Sequence, residues 1–257
     1  MSNIILRQAV QVGNLTKIKK LIDNGANVNQ VYWDNGGETL LEVAISARQV
    51  EVLKLLLEAG ANPNYRVFSS SPLLNAAGYG CIEIVKILIE SGANINDIDN
   101  SPLNTAVIRG HLEVVKLLIQ SGANINIFEQ NTNHPLFWSI GEGHLEIYQY
   151  LAALTNPKQK YEIEKEALFW TVCNPNPENL KVLLHTNIDL NTQNNSGKTA
   201  LILAVEHGKI SIIKILLYLE VELNIKDNKG KTALTYAKEA NDRLIVRLLK
   251  KAGAKDN

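Results

Sequence analysis

The apolar residues of segment 111–126, HLEVVKLLIQSGANIN, recur with the spacing of a helix. One face carries Leu112, Val115, Leu118 and Ile119. Val114 and Leu117 widen this face beyond a single stripe, as a helix requires when it packs against neighbours on several sides. Gly122 follows the last helical position, where glycine commonly ends a helix in the left-handed conformation. The pattern predicts a short, well-buried helix that ends at a turn.

Nearly the same phrase, CIEIVKILIESGANIN, stands at 81–96. Related phrases occur at 14–29, 49–64, 176–191, 209–224 and 242–254. A shorter apolar pattern precedes each of them, with starts near 4, 39, 71, 101, 134, 166, 199 and 232, which gives a period of about 33 residues. A fixed period of this size is typical of repeat proteins, in which each repeat buries its apolar faces only by stacking on its neighbours.

These repeats resemble the ankyrin repeat, which combines a T-P-L-H-x-A start with a second helix of the type G-H-L-E-I-V-K-L-L-L and a G-A-D-V-N ending. The resemblance covers essentially the whole chain, residues 1–257, in about eight repeats. It implies an all-α ankyrin-repeat solenoid, a single array of stacked antiparallel helix pairs with projecting hairpin loops and essentially no β-sheet. Pro72, Pro102 and Pro135 agree with it, because each falls in the first turn of a predicted helix, where a missing N–H costs little.

One element of the family pattern is missing from every repeat. The histidine slot of the T-P-L-H start holds Glu42, Leu74, Asn104, Phe137, Phe169, Ile202 and Thr235. The Thr–His hydrogen bonds that usually fasten neighbouring turns in this family are therefore replaced or absent here. This departure concerns the rigidity between repeats and leaves the predicted fold intact.

The sixth repeat, within residues 155–190, is irregular. Pro175 and Pro177 interrupt the joint between its helices and favour a rigid turn there. Upstream, residues 157–172 have helical spacing and no glycine, which predicts a longer first helix in place of the usual hairpin loop. Two interpretations stay open: a decayed repeat, or a bend that shapes a binding face.

Composition narrows the class of protein. Lys plus Arg equals Asp plus Glu at 26 each, so the overall charge provides no excess of cations for nucleic-acid binding. Cys81 and Cys173 have neither metal nor redox spacing and are expected to be reduced thiols. We expect no signal peptide, no membrane span and a cytoplasmic location, although export as an effector stays compatible with the sequence. Polar residues in both terminal repeats predict a closed and complete protein. We also expect it to be monomeric by itself.

The sequence offers no defensible catalytic or metal-binding arrangement. His111 and His144 occupy a joint that is structural in the family, and the remaining three histidines have no metal-ligand spacing, being His134, His185 and His207. The stretch Gly197–Thr199 only superficially resembles the end of a phosphate loop, since the upstream glycine is missing. We therefore expect no enzyme, no cofactor and no metal.

The candidate binding residues follow from the resemblance, because partners of ankyrin stacks usually dock on a concave face lined by loops and first helices. The loop positions are Tyr32, Trp33, Tyr65, Arg66, Phe68, Ile98 and Phe128. The ends of first helices supply Tyr79, Arg109 and Glu142. Aromatic residues and arginine are the usual anchors of protein interfaces. For Trp138 and Trp170 two interpretations stay open: binding, or packing against each other.

The far end of the chain differs in character. Its loops carry Lys198, Lys226, Lys229 and Lys231 and no aromatic side chain, which indicates a solvated basic rim or, as the sharper alternative, a contact for an acidic patch. The function expected overall is a non-enzymatic protein–protein interaction module that acts as inhibitor, adaptor or scaffold. The alternatives are a toxin-neutralising protein, a bacterial effector that binds a host protein and, from another class, an enzyme with a convergent site on the concave face.

Overall fold

The computed structural model of the chain describes residues 2–33, 36–97, 101–126 and 131–256, without the side chains of residues 2, 3 and 131. The chain forms two compact parts, Met1–Glu129 and Gln130–Asn257. They are called the N-terminal half and the C-terminal half below. Whether residues 1–257 form a single array stays a prediction.

In the N-terminal half, eight helices lie within the described residues and pack in consecutive antiparallel pairs. They are α1 (Ser2–Gln11), α2 (Leu15–Asp23), α3 (Leu40–Ser46), α4 (Val50–Glu58), α5 (Pro72–Tyr79), α6 (Ile82–Glu90), α7 (Pro102–Ile108) and α8 (Leu112–Gln120). The first helices stack in the order α1, α3, α5 and α7, and the second helices stack beside them. Strand β1 (Val31–Tyr32) pairs antiparallel with β2 (Glu38–Thr39) in the hairpin between the first two pairs.

In the C-terminal half, the described residues again contain eight helices in consecutive pairs. They are α9 (Pro135–Gly141), α10 (Leu145–Leu154), α11 (Pro157–Cys173), α12 (Pro177–Leu184), α13 (Ala200–Glu206), α14 (Ile210–Tyr218), α15 (Ala233–Glu239) and α16 (Arg243–Lys251). A 3-10 turn, Asn131–Asn133, precedes α9. The all-α fold of stacked helix pairs is confirmed.

Seven of the eight first helices begin within two residues of the expected positions. The sixth differs, because α11 begins at Pro157 and not near 166. Asn156 caps this helix through a hydrogen bond from the amide of Gln159 (2.9 Å), and with no glycine the helix runs on to Cys173. The longer first helix predicted from residues 157–172 is therefore present, while the predicted start is wrong.

Most first helices begin at a hydroxyl cap. The side chains of Thr39, Ser71, Ser101, Thr199 and Thr232 each accept a hydrogen bond from the backbone amide three residues later. Each bond satisfies one of the amides that a helix start leaves unpaired. The local sequence therefore determines where each helix begins, while burial of its apolar face supplies most of the stability.

A ladder of asparagines connects neighbouring repeats. The Asn64 side chain donates from Nδ2 to the Gly92 carbonyl (2.9 Å) and accepts at Oδ1 from the Asn94 amide (2.7 Å). Asn29 and Asn96 make the equivalent pair of bonds to the repeats that follow them. Because each asparagine bonds to the turn that follows the second helix of the next repeat, the ladder connects neighbouring repeats at a place other than the histidine slot.

Glu42 adds a buried polar connection in the slot of the missing histidine. Its carboxylate accepts hydrogen bonds from the Thr39 amide (2.9 Å), the Ser70 hydroxyl (3.0 Å) and Nδ2 of Asn75 (3.2 Å). The glutamate is only 7% exposed. A buried carboxylate is tolerated when several donors surround it, so this cluster both caps α3 and links it to the following repeat.

Candidate functional site

The predicted binding residues fall into three groups in the structure. Trp33, Phe68, Tyr79, Arg109 and Glu142 are exposed, as are Tyr65 and Arg66 to a smaller extent. Tyr32 is buried. Ile98 and Phe128 lie outside the described residues. Seven of the ten predicted residues therefore lie at the surface.

Tyr32 contradicts the expectation that the aromatic residues of the loops project into solvent. It is 5% exposed, and Val31 beside it in β1, the strand that pairs with β2, is buried as well. A residue buried to this extent is not available to a partner. Trp33, the next residue, leaves the strand and is 65% exposed.

Trp33 and Phe68 form an exposed aromatic pair across two successive loops. The ring centroids are 6.0 Å apart and the ring planes meet at 83°, an edge-to-face arrangement. Phe68 is 78% exposed and has a φ of 53°, a left-handed conformation that costs energy for a residue other than glycine. These two residues are called the aromatic pair below.

Gly37 lies directly against the ring of Trp33. A Cβ at this position would lie 2.9 Å from Cζ3 of Trp33 and 2.8 Å from Cγ1 of Val67, and the residue has a φ of +85°. Only glycine satisfies both the conformation and the close approach. The indole therefore rests directly on the hairpin backbone, which limits the orientations it can adopt.

A groove of about 510 Å³ lies between the ends of α5 and α7. It is lined by Leu74, Asn75, Gly78, Tyr79, Thr105 and Arg109. Tyr79 is the last residue of α5, and Arg109 directly follows the last residue of α7. Aligned from the capping residues Ser71 and Ser101, the two occupy the same position in consecutive repeats. A Cβ on Gly78 would be 3.2 Å from Cγ2 of Thr105, which shows how closely the two helices approach at this glycine. The groove thus has a low floor between two long exposed side chains.

The two arginines of the predicted site differ in their surroundings. Arg66 lies 3.3 Å from the carboxylate of Asp97, whose side chain is largely buried, so its charge is compensated within the protein. Arg109 makes no ion pair or side-chain hydrogen bond with the described residues around it. In the N-terminal half, Arg109 is therefore the site arginine whose charge is open to a partner.

The tryptophans of the C-terminal half pack together. The rings of Trp138 and Trp170 are 6.4 Å apart at 74°, and Phe137 contacts both of them at 5.4 and 5.9 Å. Phe137 is buried, while both tryptophans are partly exposed. The interpretation of mutual packing is confirmed for this pair of side chains.

Two lysines of the predicted basic rim are paired within the protein. Lys198 contacts Glu206 at 2.6 Å and Lys231 contacts Glu239 at 2.7 Å. Both ammonium groups lie over the ring of Tyr236, at 5.2 and 5.4 Å from its centroid. The Tyr236 hydroxyl donates to a nearby carboxylate, that of Asp227 (2.6 Å), and this bond raises the pKa of Tyr236 to about 12. These charges stabilise the loop ends and need no partner.

Reactive groups are sparse in the part of the chain that the structure describes. There, no three His, Cys, Asp or Glu side chains come together in a way that could hold a metal ion. Burial raises the pKa of the Cys173 thiol, which disfavours the reactive thiolate. None of the described helices is both long and apolar enough to cross a membrane.

The sequence alone does not single out several residues of this surface. Leu74, Asn75 and Thr105 line the groove, and Gly37 carries the tryptophan. Asn75 and Thr105 hold the same position in consecutive first helices, so the repeat alignment could have identified them as surface neighbours. No sequence pattern identifies Gly37, because its close approach to Trp33 and Val67 follows only from the folded loops.

A search of curated proteins found no match. A family model described as ankyrin repeats (3 copies) matches residues 2–67, 73–166 and 168–257. These matches cover nearly the whole chain and agree with the sixteen helices seen in the described residues. The chain belongs to the ankyrin repeat family.

Proposed function

We propose that the N-terminal half binds a segment of another protein, with the aromatic pair and the groove as its two contact points. Ankyrin repeats are in general protein–protein interaction modules and are typically non-enzymatic. Bound in this way, the chain acts as an inhibitor, adaptor or scaffold for that partner. The side used is the one formed by α3, α5, α7 and the preceding loops, the concave side in ankyrin stacks.

The aromatic pair is the observation that carries the proposal. Trp33 and Phe68 are 65% and 78% exposed, although their apolar rings would be more stable out of water. Phe68 also adopts a left-handed conformation that costs about 1 kcal/mol or more. Two unfavourable features at one point of the surface indicate a selected use, and large aromatic residues are the commonest energetic anchors of interfaces.

The groove supplies a second, chemically different contact. Its volume of about 510 Å³ suits one or two side chains of an extended segment. Arg109 offers an uncompensated guanidinium, which favours a carboxylate or a backbone carbonyl of the partner. Tyr79 is 50% exposed and adds apolar area together with a hydroxyl. The partner segment expected here is therefore apolar toward the loops and carries an acceptor toward α7.

Photocrosslinking provides the direct test, because it identifies the partner and the position of contact together. A benzophenone amino acid replaces Phe68 in one sample and Tyr218 in another. Tyr218 ends α14 and is 85% exposed, so it is at least as accessible. We expect a specific crosslinked protein from position 68 and none in common from position 218.

Affinity and stability measurements on the crosslinked partner complete the test. Trp33→Ala and Phe68→Ala should each weaken binding about thirtyfold, which corresponds to about 2 kcal/mol. Tyr218→Ala serves as the matched control and should leave affinity unchanged. Lost stability with unchanged affinity in the first two variants would assign the rings to the folding of the loops and refute the proposal.

A further inference from the structure

The last helix of the chain presents an exposed basic face. It consists of Lys238 at the end of α15 together with four cations of α16: Arg243, Arg247, Lys250 and Lys251. These residues surround an open depression of about 990 Å³, with Asn241 and Val246 between them. The lining contains five cations and no acidic side chain.

Helix stability accounts for only part of this basic face. Lys250 and Lys251 lie in the last turn of α16, where cations interact favourably with the helix dipole. Arg243 is the first residue of α16, where the same dipole disfavours a positive charge. Arg243, Arg247 and Lys251 also follow one another at four-residue spacing, and like charges so placed repel each other. Arg243 and Arg247 therefore destabilise α16.

A carboxylate already occupies one edge of the basic face. The side chain of Asp256 pairs with both Lys238 and Lys250, the second contact being 3.1 Å. Hydrogen bonds from these two lysines lower the pKa of Asp256. Arg243, Arg247 and Lys251 have no acidic partner among the described residues. The face therefore accepts carboxylates and has capacity for more than the one it holds.

We propose that the basic face binds an acidic segment of a partner protein, at a place independent of the N-terminal half. Cations four residues apart on a helix are separated by about 6 Å along the axis. Alternate side chains of an extended chain are separated by about 6.6 Å on one side. A segment with acidic residues at every second position therefore places one carboxylate near each of Arg243, Arg247 and Lys251. Val246 lies between these cations and gives the segment's backbone an apolar surface.

The dimensions of the basic face favour an acidic protein segment over nucleic acid. From Arg243 to Lys251 the helix extends about 12 Å, room for three or four anionic groups. Stable binding of double-stranded DNA commonly draws on six to ten phosphate contacts. The chain as a whole has equal numbers of cationic and anionic residues, 26 of each, so it adds no long-range attraction for a polyanion.

The test uses the whole protein and a rhodamine-labelled peptide of nine residues in which glutamate alternates with serine. Fluorescence anisotropy at low salt should show binding, and a peptide with glutamine in place of glutamate should not bind. The double variant Arg243→Gln/Arg247→Gln should weaken binding at least about tenfold. Its melting temperature should stay the same or rise, because the variant removes repulsion within α16. Asp256→Asn should tighten binding, because it removes the carboxylate that competes for Lys238 and Lys250.

The matched control removes the same charge elsewhere. Lys181→Gln/Lys214→Gln changes two exposed lysines on α12 and α14 and should leave the peptide affinity unchanged. Equal losses in both double variants, or equal binding of the glutamine peptide, would overturn the proposal. Tighter binding of a single-stranded oligonucleotide or of vesicles containing phosphatidylserine, with the same dependence on the two arginines, would also overturn it. Trp33→Ala should not alter peptide binding, which separates this test from that of the N-terminal half.

Discussion

Nδ1 of His134 accepts a hydrogen bond of 3.1 Å from the backbone amide of Leu136, so that an imidazole caps α9. Ser71 and Ser101 occupy the corresponding positions before α5 and α7 and cap them with hydroxyls. His134 is 1% exposed, and this burial lowers its pKa to about 4. Protonation would remove the acceptor and place a charge inside the protein, so the fold requires the neutral ring.

This cap predicts sensitivity to acid. Unfolded His134 binds a proton near pH 6.5 and folded His134 only near pH 4, so the unfolded state binds more protons between these values. The contribution to stability is complete above pH 6.5 and is lost as the pH falls towards 4, by up to about 3 kcal/mol. His134→Ser keeps a capping acceptor without a titrating group and should flatten this slope in urea unfolding between pH 4 and 7.

The control for His134 is another histidine. His207→Ser changes an exposed side chain and should retain the acid slope of the parent protein. An unaltered slope in His134→Ser would show that other groups cause the acid sensitivity.

The fold was predictable because the apolar period near 33 residues repeats many times and each occurrence supports the others. Single positions were less predictable. The sequence presents His134 only as one of several scattered histidines, since histidine is an unusual cap residue. The repeat alignment predicts the wrong start for α11, because the local cap at Asn156 determines where this helix begins.

The candidate site shows the same limit. Trp33 and Tyr32 are adjacent aromatic residues in one loop, and the pattern gave no reason to separate them. In the structure a two-residue strand places Tyr32 in the core, while Trp33 lies outside the strand on Gly37. A strand of two residues is too short to show an alternation of apolar and polar side chains. The burial of its residues therefore follows from tertiary contacts alone.

The asparagine ladder predicts a measurable loss of stability on mutation. Asn64→Ala removes two hydrogen bonds to the following repeat, those to Gly92 and Asn94, and should cost about 1–2 kcal/mol. Asn195→Ala is a suitable control, since Asn195 is an exposed loop asparagine and its replacement should change stability by less than about 0.5 kcal/mol. Denaturant unfolding measures both. Equal and small effects would mean that water replaces the ladder bonds without cost.

The backbone of Phe68 predicts an unusual response to glycine. Because its φ is 53°, glycine should relieve strain there, and Phe68→Gly should be more stable than Phe68→Ala by about 1 kcal/mol. Tyr65 has no such conformation, so Tyr65→Gly should be less stable than Tyr65→Ala, because glycine gives the unfolded chain more conformational freedom. Melting temperatures of the four variants test the expected reversal, and the same order at both positions would contradict it.

The sixth repeat is expected to open more readily than the repeats of α6 and α8. Pro175 and Pro177 interrupt its joint, and α12 packs less closely on α14 than on α10. In a stack with nearest-neighbour interactions, a weak interface lets the adjoining segment open separately. Hydrogen exchange should therefore be faster at residues 155–180 than at 81–126. Equal protection in the two regions would contradict this prediction, and the bonds of Asn179 to Gly141 and Asn174, at 3.2 and 2.9 Å, would then be the contacts that hold the repeat.

Arg109 predicts how the partner of the N-terminal half responds to salt. Its guanidinium is exposed and has no ion pair with the described residues, so it can interact with an acceptor of the partner without first breaking an internal bond. Arg109→Gln should lower the affinity for the protein crosslinked at position 68 about tenfold and should reduce the salt dependence of binding. Arg109→Lys keeps the charge but loses the planar guanidinium, so its affinity should fall between those of the parent protein and Arg109→Gln.

The control for Arg109 is Lys86→Gln, which removes the same charge from α6 in the same half, where Lys86 lies 3.9 Å from Glu90. If Lys86→Gln weakens binding as much as Arg109→Gln does, only the net charge matters and the groove is not a contact point. If Arg109→Gln alone weakens binding, while its melting temperature stays within the small range expected for an exposed residue, the acceptor of the partner lies in the groove beside Tyr79.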